Sequence, residues 1–319
     1  MVLVSFSCLL CDAFRCGALV VKMSCPPSFS KKLTFESSEG VLVDFVSEQI
    51  SISKQWVKKI LLRGGVWLKR GKSSLKRVRK AKYPLQKGDL LEVYHSSKIE
   101  DLELKDLCYP VKEFSDWGVW YKGVNVLSQG TKYGDQNALN RFLEKEKNKS
   151  VHLINRLDKE ASGLMVFAYS QKKARQLSKV WSHERTVKTY QAIAKGDVLK
   201  KFPKGQGVIT KTLEGKKCLT ELSVVKSCKE YSLILASLKT GRFHQIRRHF
   251  EKIGHPLLGD PKYGRGNKNK EGLMLQSSFL ELPKMRGEDI IEGELKFEVP
   301  KKDQLFEVFK KMKNPSFKN

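Results

Sequence analysis

The chain has 319 residues, 61 of them Lys or Arg and 34 Asp or Glu, for a formal net charge of +27. That excess points to a polyanionic partner, while 40% hydrophobic and 9% aromatic residues supply a packed core and exclude a wholly disordered basic tail. No run of eighteen apolar residues occurs, so no membrane span is expected, and the length suits two folded units.

The segment Met1–Cys25 is apolar, with only Asp12, Arg15 and Lys22 charged, and it carries four of the seven cysteines. An odd cysteine count argues against a disulfide framework. Cys8 and Cys11 form a CxxC, but no histidine lies nearby and Cys16 and Cys25 are not spaced as metal ligands, so no metal site is expected. The segment lacks the basic start and small-residue cleavage site of an export signal. Residues 1–32 are therefore set apart as an extension, with Met23 as an alternative start and an organellar address left open. Reduced thiols favour a cytoplasmic protein.

Leu42, Phe45, Val46 and Ile50 recur at helical spacing. Trp56, Val57, Ile60 and Leu61 repeat the pattern behind Ser53, an N-cap residue, and Gly64-Gly65 stops this second helix. Strands are expected at Val66–Lys69 and Leu90–His95, the latter after the turn Lys87-Gly88-Asp89. Lys54, Lys58, Lys59, Arg63, Lys69 and Arg70 head a run of cations from Ser51 to Lys87 that contains no acid. The order of VLVDFVSEQI, ISISKQWVKKILLRGGVWL and LQKGDLLEVYH resembles the αL-motif RNA-binding domain of the ribosomal small-subunit protein S-four and of several RNA-modifying enzymes. The resemblance implies a small α/β RNA-binding domain at residues 33–98, with those six cations among its RNA contacts. It departs from the pattern at Leu68-Lys69-Arg70-Gly71, where a polar turn is usual, and the alternative is a solvated basic face without a partner.

Residues 99–108 hold Glu100, Asp101, Glu103 and Asp106 and read as a connector. A second unit, 109–319, follows. A helical pattern starts at Asn137 behind Asp135, Gly163–Tyr169 reads as a buried strand, and Ser170 caps a helix carrying Ala174, Leu177 and Trp181. Val187–Ala194, Leu219–Lys226 and Tyr231–Leu238 read as strands. Without a strict βαβ alternation, the class is α+β. In FHQIRRHFEKIG, Ile246, Phe250 and Ile253 share a core face, His244 and Arg247 share the adjacent flank, and Gly254 ends the helix. Gly254–Gly264 is expected to shape the rim of a cleft.

No GxxxxGK[ST], HExxH, GxSxG or helix-opening GxGxxG is present, which removes the usual supports for nucleotide hydrolysis, zinc proteolysis and lipase-type acyl transfer. A nuclease would need clustered metal-binding carboxylates, and none stand out. What remains is Val151–Leu164, a polar loop running into the buried strand, where Asp158 stands between Arg156 and Lys159. Such a loop projects a carboxylate while the strand holds it still. On composition alone, the turn or helix-cap reading of Asp158 is the favoured one.

The segment INRLDKEASGLMVFA resembles the catalytic motif of the RluA-type pseudouridine synthases, roughly HRLDxxTSGL. KTYQAIAKG, LKTGRFHQIRRHF and GHPLLGDPKYG follow in the family's order. The resemblance implies a mixed, mainly antiparallel sheet with a central cleft. It places Asp158 as catalytic aspartate, Tyr190 as the tyrosine beneath the target uracil, Arg247 as the aspartate's partner, and Arg156 as the residue filling the gap left by the flipped nucleotide. Departures are Asn155 for histidine, Phe243 for a hydroxyl residue, Lys122-Gly123-Val124-Asn125 for Lys-Pro-x-Gly, and Leu275-Gln276-Ser277 for Leu-His-Ala. His244, His249 and His255 read as structural or RNA-contacting. Because pseudouridine is an isomer of uridine, no cofactor is expected. The expected partner is structured RNA, ribosomal in preference to transfer RNA because of the basic module, bound by a monomer. The alternative is an inactive RNA-binding ribosome-assembly factor on the same fold.

Overall fold

The chain opens with β1 (Phe29–Thr34), β2 (Glu39–Val41), α1 (Leu42–Ile50), α2 (Lys54–Arg63), β3 (Val66–Lys69), β4 (Lys76–Arg77), β5 (Pro84–Gln86) and β6 (Leu90–His95). The structure, a computed structural model, describes residues 25–238, 241–264, 266–267, 269–284 and 295–312. Cys8, Cys11, Cys16 and the choice between Met1 and Met23 fall outside the described residues. The Ser53 hydroxyl accepts a hydrogen bond from the Trp56 N–H, and Gly64, left-handed at φ 82°, ends α2. Leu42, Val46, Val57, Ile60 and Leu61 bury one face of the helix pair against Val66, Leu68, Leu91 and Val93. Those residues belong to a sheet ordered β1-β6-β3-β4, while β2 pairs with β5. Phe29–Lys32 pair with His95–Glu92 of β6, so this sheet begins ahead of Leu33.

The acidic connector is partly structured. Leu104 and Cys108 are buried, because α3 (Leu104–Leu107) packs them beneath the second unit before β7 (Cys108–Glu113) begins. Then come β8 (Trp117–Lys122), α4 (Leu139–Lys147), β9 (His152–Leu153), β10 (Ser162–Ala168), α5 (Gln171–Ser182), β11 (Val187–Lys195), β12 (Gln206–Leu213) and β13 (Lys216–Ser227). The last elements are β14 (Tyr231–Leu238), α6 (Gln245–Lys252), β15 (Leu275–Glu281), β16 (Lys296–Glu298) and α7 (Leu305–Lys311). Helix α4 starts later than its sequence pattern suggests, with Ala138 rather than Asp135 before it.

The second unit is one ten-stranded sheet ordered β12-β13-β14-β11-β15-β10-β8-β7, with β9 on β10 and β16 on β15. Among the described residues, β10 with β15 is the parallel pairing and the other neighbours are antiparallel. This mixed, mainly antiparallel sheet is the α+β architecture expected. Strand β10 is buried along its whole length because both its faces are covered. Leu164 and Val166 pack with Leu177 and Val180 of α5, and Met165 and Phe167 with Leu139 and Leu143 of α4. Gly163, at φ 115°, lets β10 approach β15 so closely that a Cβ there would collide with the Ser277 carbonyl.

The two units meet through a charged seam. Arg77 and Arg79 both pair with the Asp135 carboxylate, the Asp135 N–H donates to the Arg63 carbonyl at 3.0 Å, and Trp67 Nε1 donates to the Lys132 carbonyl at 3.0 Å. Among the described residues no helix is long and apolar enough to cross a membrane.

Candidate active site

The loop from Asn155 to Glu160, between β9 and β10, is tied down at three places. Asn155 stands where the related motif has histidine. Its Oδ1 accepts from the Val166 N–H at 2.8 Å and its Nδ2 donates to the Leu164 carbonyl at 3.3 Å, so the side chain mimics a neighbouring strand. The Ser128 hydroxyl donates to the Leu157 carbonyl at 2.7 Å and accepts from the Leu157 N–H at 3.0 Å. Lys122, fully buried, donates to the carbonyls of Gly123, Val126 and Lys159 at 3.0, 2.9 and 3.2 Å. Burial pushes its pKa down to about 7 against the opposing charges of Cys108, Asp158 and Glu160. Three carbonyl acceptors match the three donors of an ammonium.

Asp158 projects from this loop. Its Oδ2 lies 2.9 Å from Arg247 Nη1, although the two residues are 89 apart in sequence. Arg247, on the buried flank of α6, is 1% exposed, whereas Asp158 retains 23%. The other edge of the guanidinium is held in a fork by Asp260, with Nε to Oδ2 and Nη2 to Oδ1 both at 2.9 Å, and Glu160 Oε2 stands 3.5 Å from Nη1. Burial opposes the charge on Arg247, but its bonds to Asp260 and Asp158 prevail and hold its pKa above the ordinary value. Burial likewise works against the Asp260 carboxylate, yet Arg247 and the backbone N–H groups of Tyr263 and Lys262 keep it below the usual carboxylate range. The sequence pattern in GHPLLGDPKYG does not single out Asp260, which is reached only through its fork on Arg247.

His244 opens α6 in the left-handed conformation at φ 53°. Its Nε2 lies 3.5 Å from Asp158 Oδ1 and its Nδ1 lies 3.1 Å from the Tyr263 hydroxyl. Burial lowers its pKa, with Asp158 pulling the other way. His249 is buried, and His255 donates through Nδ1 to the Lys195 carbonyl at 2.8 Å.

Tyr190 comes from β11 at a register shift between Thr189 and Tyr190, and irregularities of this kind re-aim a side chain. With Asp158, Leu238, Arg247 and Leu275 it bounds a recess of about 110 Å³. Burial pushes its phenol up to about 12, against a hydrogen bond from Ser277 and with help from the Asp158 charge. Gln276, in place of histidine, donates to the Asp303 carbonyl at 2.8 Å. The recess adjoins a cleft of about 760 Å³ lined by Arg156, Lys159, Phe243, His244 and Lys262, where Arg156 is exposed. Among the described residues no group of three His, Cys, Asp or Glu side chains is placed to share a metal ion.

The cations of the first unit fare unequally. Lys58, Lys59 and Lys69 are exposed, with Lys59 Nζ 5.0 Å from the Trp56 ring centroid. Lys54 pairs with Asp44 at 2.6 Å and Arg70 is forked on Asp89 at 2.8 and 2.7 Å. Arg63 does not face solvent as a surface cation would, because it is buried and its Nη2 lies 3.0 Å from both oxygens of Asp101.

The mainly antiparallel sheet thus opens a cleft on a fixed aspartate, a buried arginine and a recessed tyrosine, the three residues that the sequence motifs singled out. Residues 116–252 match the family described as RNA pseudouridylate synthase. A protein of Aquifex aeolicus described as an uncharacterized RNA pseudouridine synthase is 31% identical over 66% of this chain and 72% of its own length. The ribosomal large subunit pseudouridine synthase D of Borreliella burgdorferi is 36% identical over 41% of this chain and 44% of its own length. The tRNA pseudouridine synthase C of Haemophilus ducreyi is 33% identical over 39% and 59% respectively. The chain thus spans less than two thirds of the latter two relatives. It belongs to the RNA pseudouridine synthase family.

Proposed function

We propose that this protein converts uridine to pseudouridine in structured RNA, with Asp158 as the catalytic carboxylate. The observation that carries the reading is the 2.9 Å pair between Asp158 and the buried Arg247 at the mouth of the Tyr190 recess. The reaction breaks the bond between ribose and uracil nitrogen, turns the base and rejoins it through carbon. A carboxylate serves it as nucleophile on the sugar or as base toward a sugar proton. Arg247 aims Asp158, and Asp260 on the opposite edge of the guanidinium keeps Arg247 from turning away. The target base must leave its stack, at a cost of a few kcal/mol. Tyr190 offers it a flat surface, and Arg156, exposed at the cleft, takes the vacated place in the RNA.

The first unit is an S-four-type RNA-binding domain in this reading, with Lys58, Lys59 and Lys69 as its phosphate contacts and Lys54 and Arg70 near them. Its division from the catalytic unit falls in residues 99–108. Ribosomal RNA is the favoured substrate, supported by the basic module and by the ribosomal relative. The deciding experiment incubates the purified chain with ribosomal and with transfer RNA transcripts and analyses their nucleosides. Pseudouridine in the ribosomal transcript is expected. No pseudouridine in either would make the chain an RNA-binding protein on an inactive fold.

A further inference from the structure

Phe243 has no role in the chemistry described, and it is 57% exposed at the edge of the cleft. A single exposed apolar side chain is ordinary on a protein surface, but this ring stands at the mouth of a basic cleft in a fixed orientation. The ring is held in place. It stacks on His244 with centroids 3.7 Å apart and planes 21° apart, and His244 is itself fixed between Asp158 and Tyr263. Lys262 Nζ lies 5.5 Å from the Phe243 centroid, and Arg156, Arg242 and Lys159 line the same cleft. Phe243 does not bound the Tyr190 recess, so the target uracil is not its occupant.

A fixed ring flanked by cations suits one ligand chemistry: an unpaired nucleobase on a phosphodiester backbone. Cations neutralise the phosphates while the ring accepts the base face, which every base possesses. We infer that Phe243 is a stacking platform for an unpaired base flanking the target uridine, and that it helps to choose which uridine enters the recess. The inference rests on the pseudouridine synthase reading for the identity of the neighbouring site. A hydroxyl residue, which the related motif carries at this position, could not supply that surface.

The test is a binding and turnover cycle on a hairpin RNA with a single loop uridine, prepared intact and with each other loop position in turn made abasic. Phe243→Ala is expected to weaken binding of the intact hairpin by roughly five- to one-hundred-fold, and Phe243→Trp to retain it. Removing the base that stacks should weaken wild-type binding equally and leave Phe243→Ala unaffected, so that the two losses do not add. Half-saturation in single-turnover assays should shift in step with binding. Unchanged binding in Phe243→Ala, or an equal loss on every abasic hairpin, would overturn the inference. Absence of pseudouridine with wild-type protein would instead count against the enzyme reading, and the binding cycle would still decide the stacking role.

Discussion

Arg247 serves two carboxylates with different tasks. Asp260, buried, grips one edge of the guanidinium, while Asp158 on the other edge keeps its reach into the cleft. Asp260→Asn should therefore act on both stability and rate. Breaking a buried ion pair costs about 3–5 kcal/mol, a loss that thermal unfolding measures. The pH dependence has a definite sign. Asp260 is held below its ordinary pKa, so its contribution is complete above about pH 4 and is lost as pH falls through the lowered native value. The stability of Asp260→Asn should decline less steeply below about pH 4 than that of wild type. A parallel decline would show that Asp260 is not the group that Arg247 holds ionised. At Tyr190 the phenol, pushed up to about 12, stays protonated in neutral solution. Tyr190→Phe should keep RNA placement, whereas Tyr190→Ala should weaken it by about 1–3 kcal/mol in titrations. Equal, near-normal behaviour of both variants would remove Tyr190 from the site.

The loop from Asn155 to Glu160 is positioned by residues that the motif alone does not announce. Ser128 meets both backbone groups of Leu157, so Ser128→Ala should leave two polar groups without their partner, at about 1–3 kcal/mol in stability. A loop displaced by about 1 Å loses up to roughly a hundred-fold in rate. Single-turnover kinetics should show a lower rate with half-saturation little changed, and a wild-type rate would mean that Asn155 and Lys122 hold the loop without it. Much of this was legible in the sequence. Ser53, Ser170 and Gly64 mark helix ends through local hydrogen bonding and backbone freedom, and an apolar run such as Leu164–Ala168 reveals a strand covered on both faces. β4 and β5, of two and three residues, are too short to carry a period, and β12 alternates too little to be read as a strand. Asp260 and Ser128 acquire their roles only through partners far along the chain.

The whole molecule divides basic charge between exposed side chains and internal ion pairs, and a count of lysines and arginines does not distinguish the two. Arg77 and Arg79 converge on Asp135 across the seam, and Arg63 is turned inward to Asp101. Lys58 and Lys59 stay exposed on α2. Replacing both by Ala should reduce the slope of log affinity against log salt by roughly 0.7–0.9 for each phosphate that the variant leaves unneutralised. Arg63→Ala should instead lower the melting temperature with the slope unchanged. The reverse pattern, a salt effect from Arg63 and none from the lysines, would place the RNA on the seam rather than on α2.

If affinity resides in distributed cations and chemistry in one carboxylate, the two separate in a single variant. Asp158→Asn keeps the volume and a hydrogen-bond acceptor for Arg247, but its amide is a poor nucleophile and base. Purified wild type and Asp158→Asn should be titrated with an RNA that wild type modifies, and the same samples analysed for pseudouridine. Near-equal binding with no product from the variant is the result predicted. Pseudouridine formed by Asp158→Asn at the wild-type rate would show that the chemistry does not depend on this carboxylate.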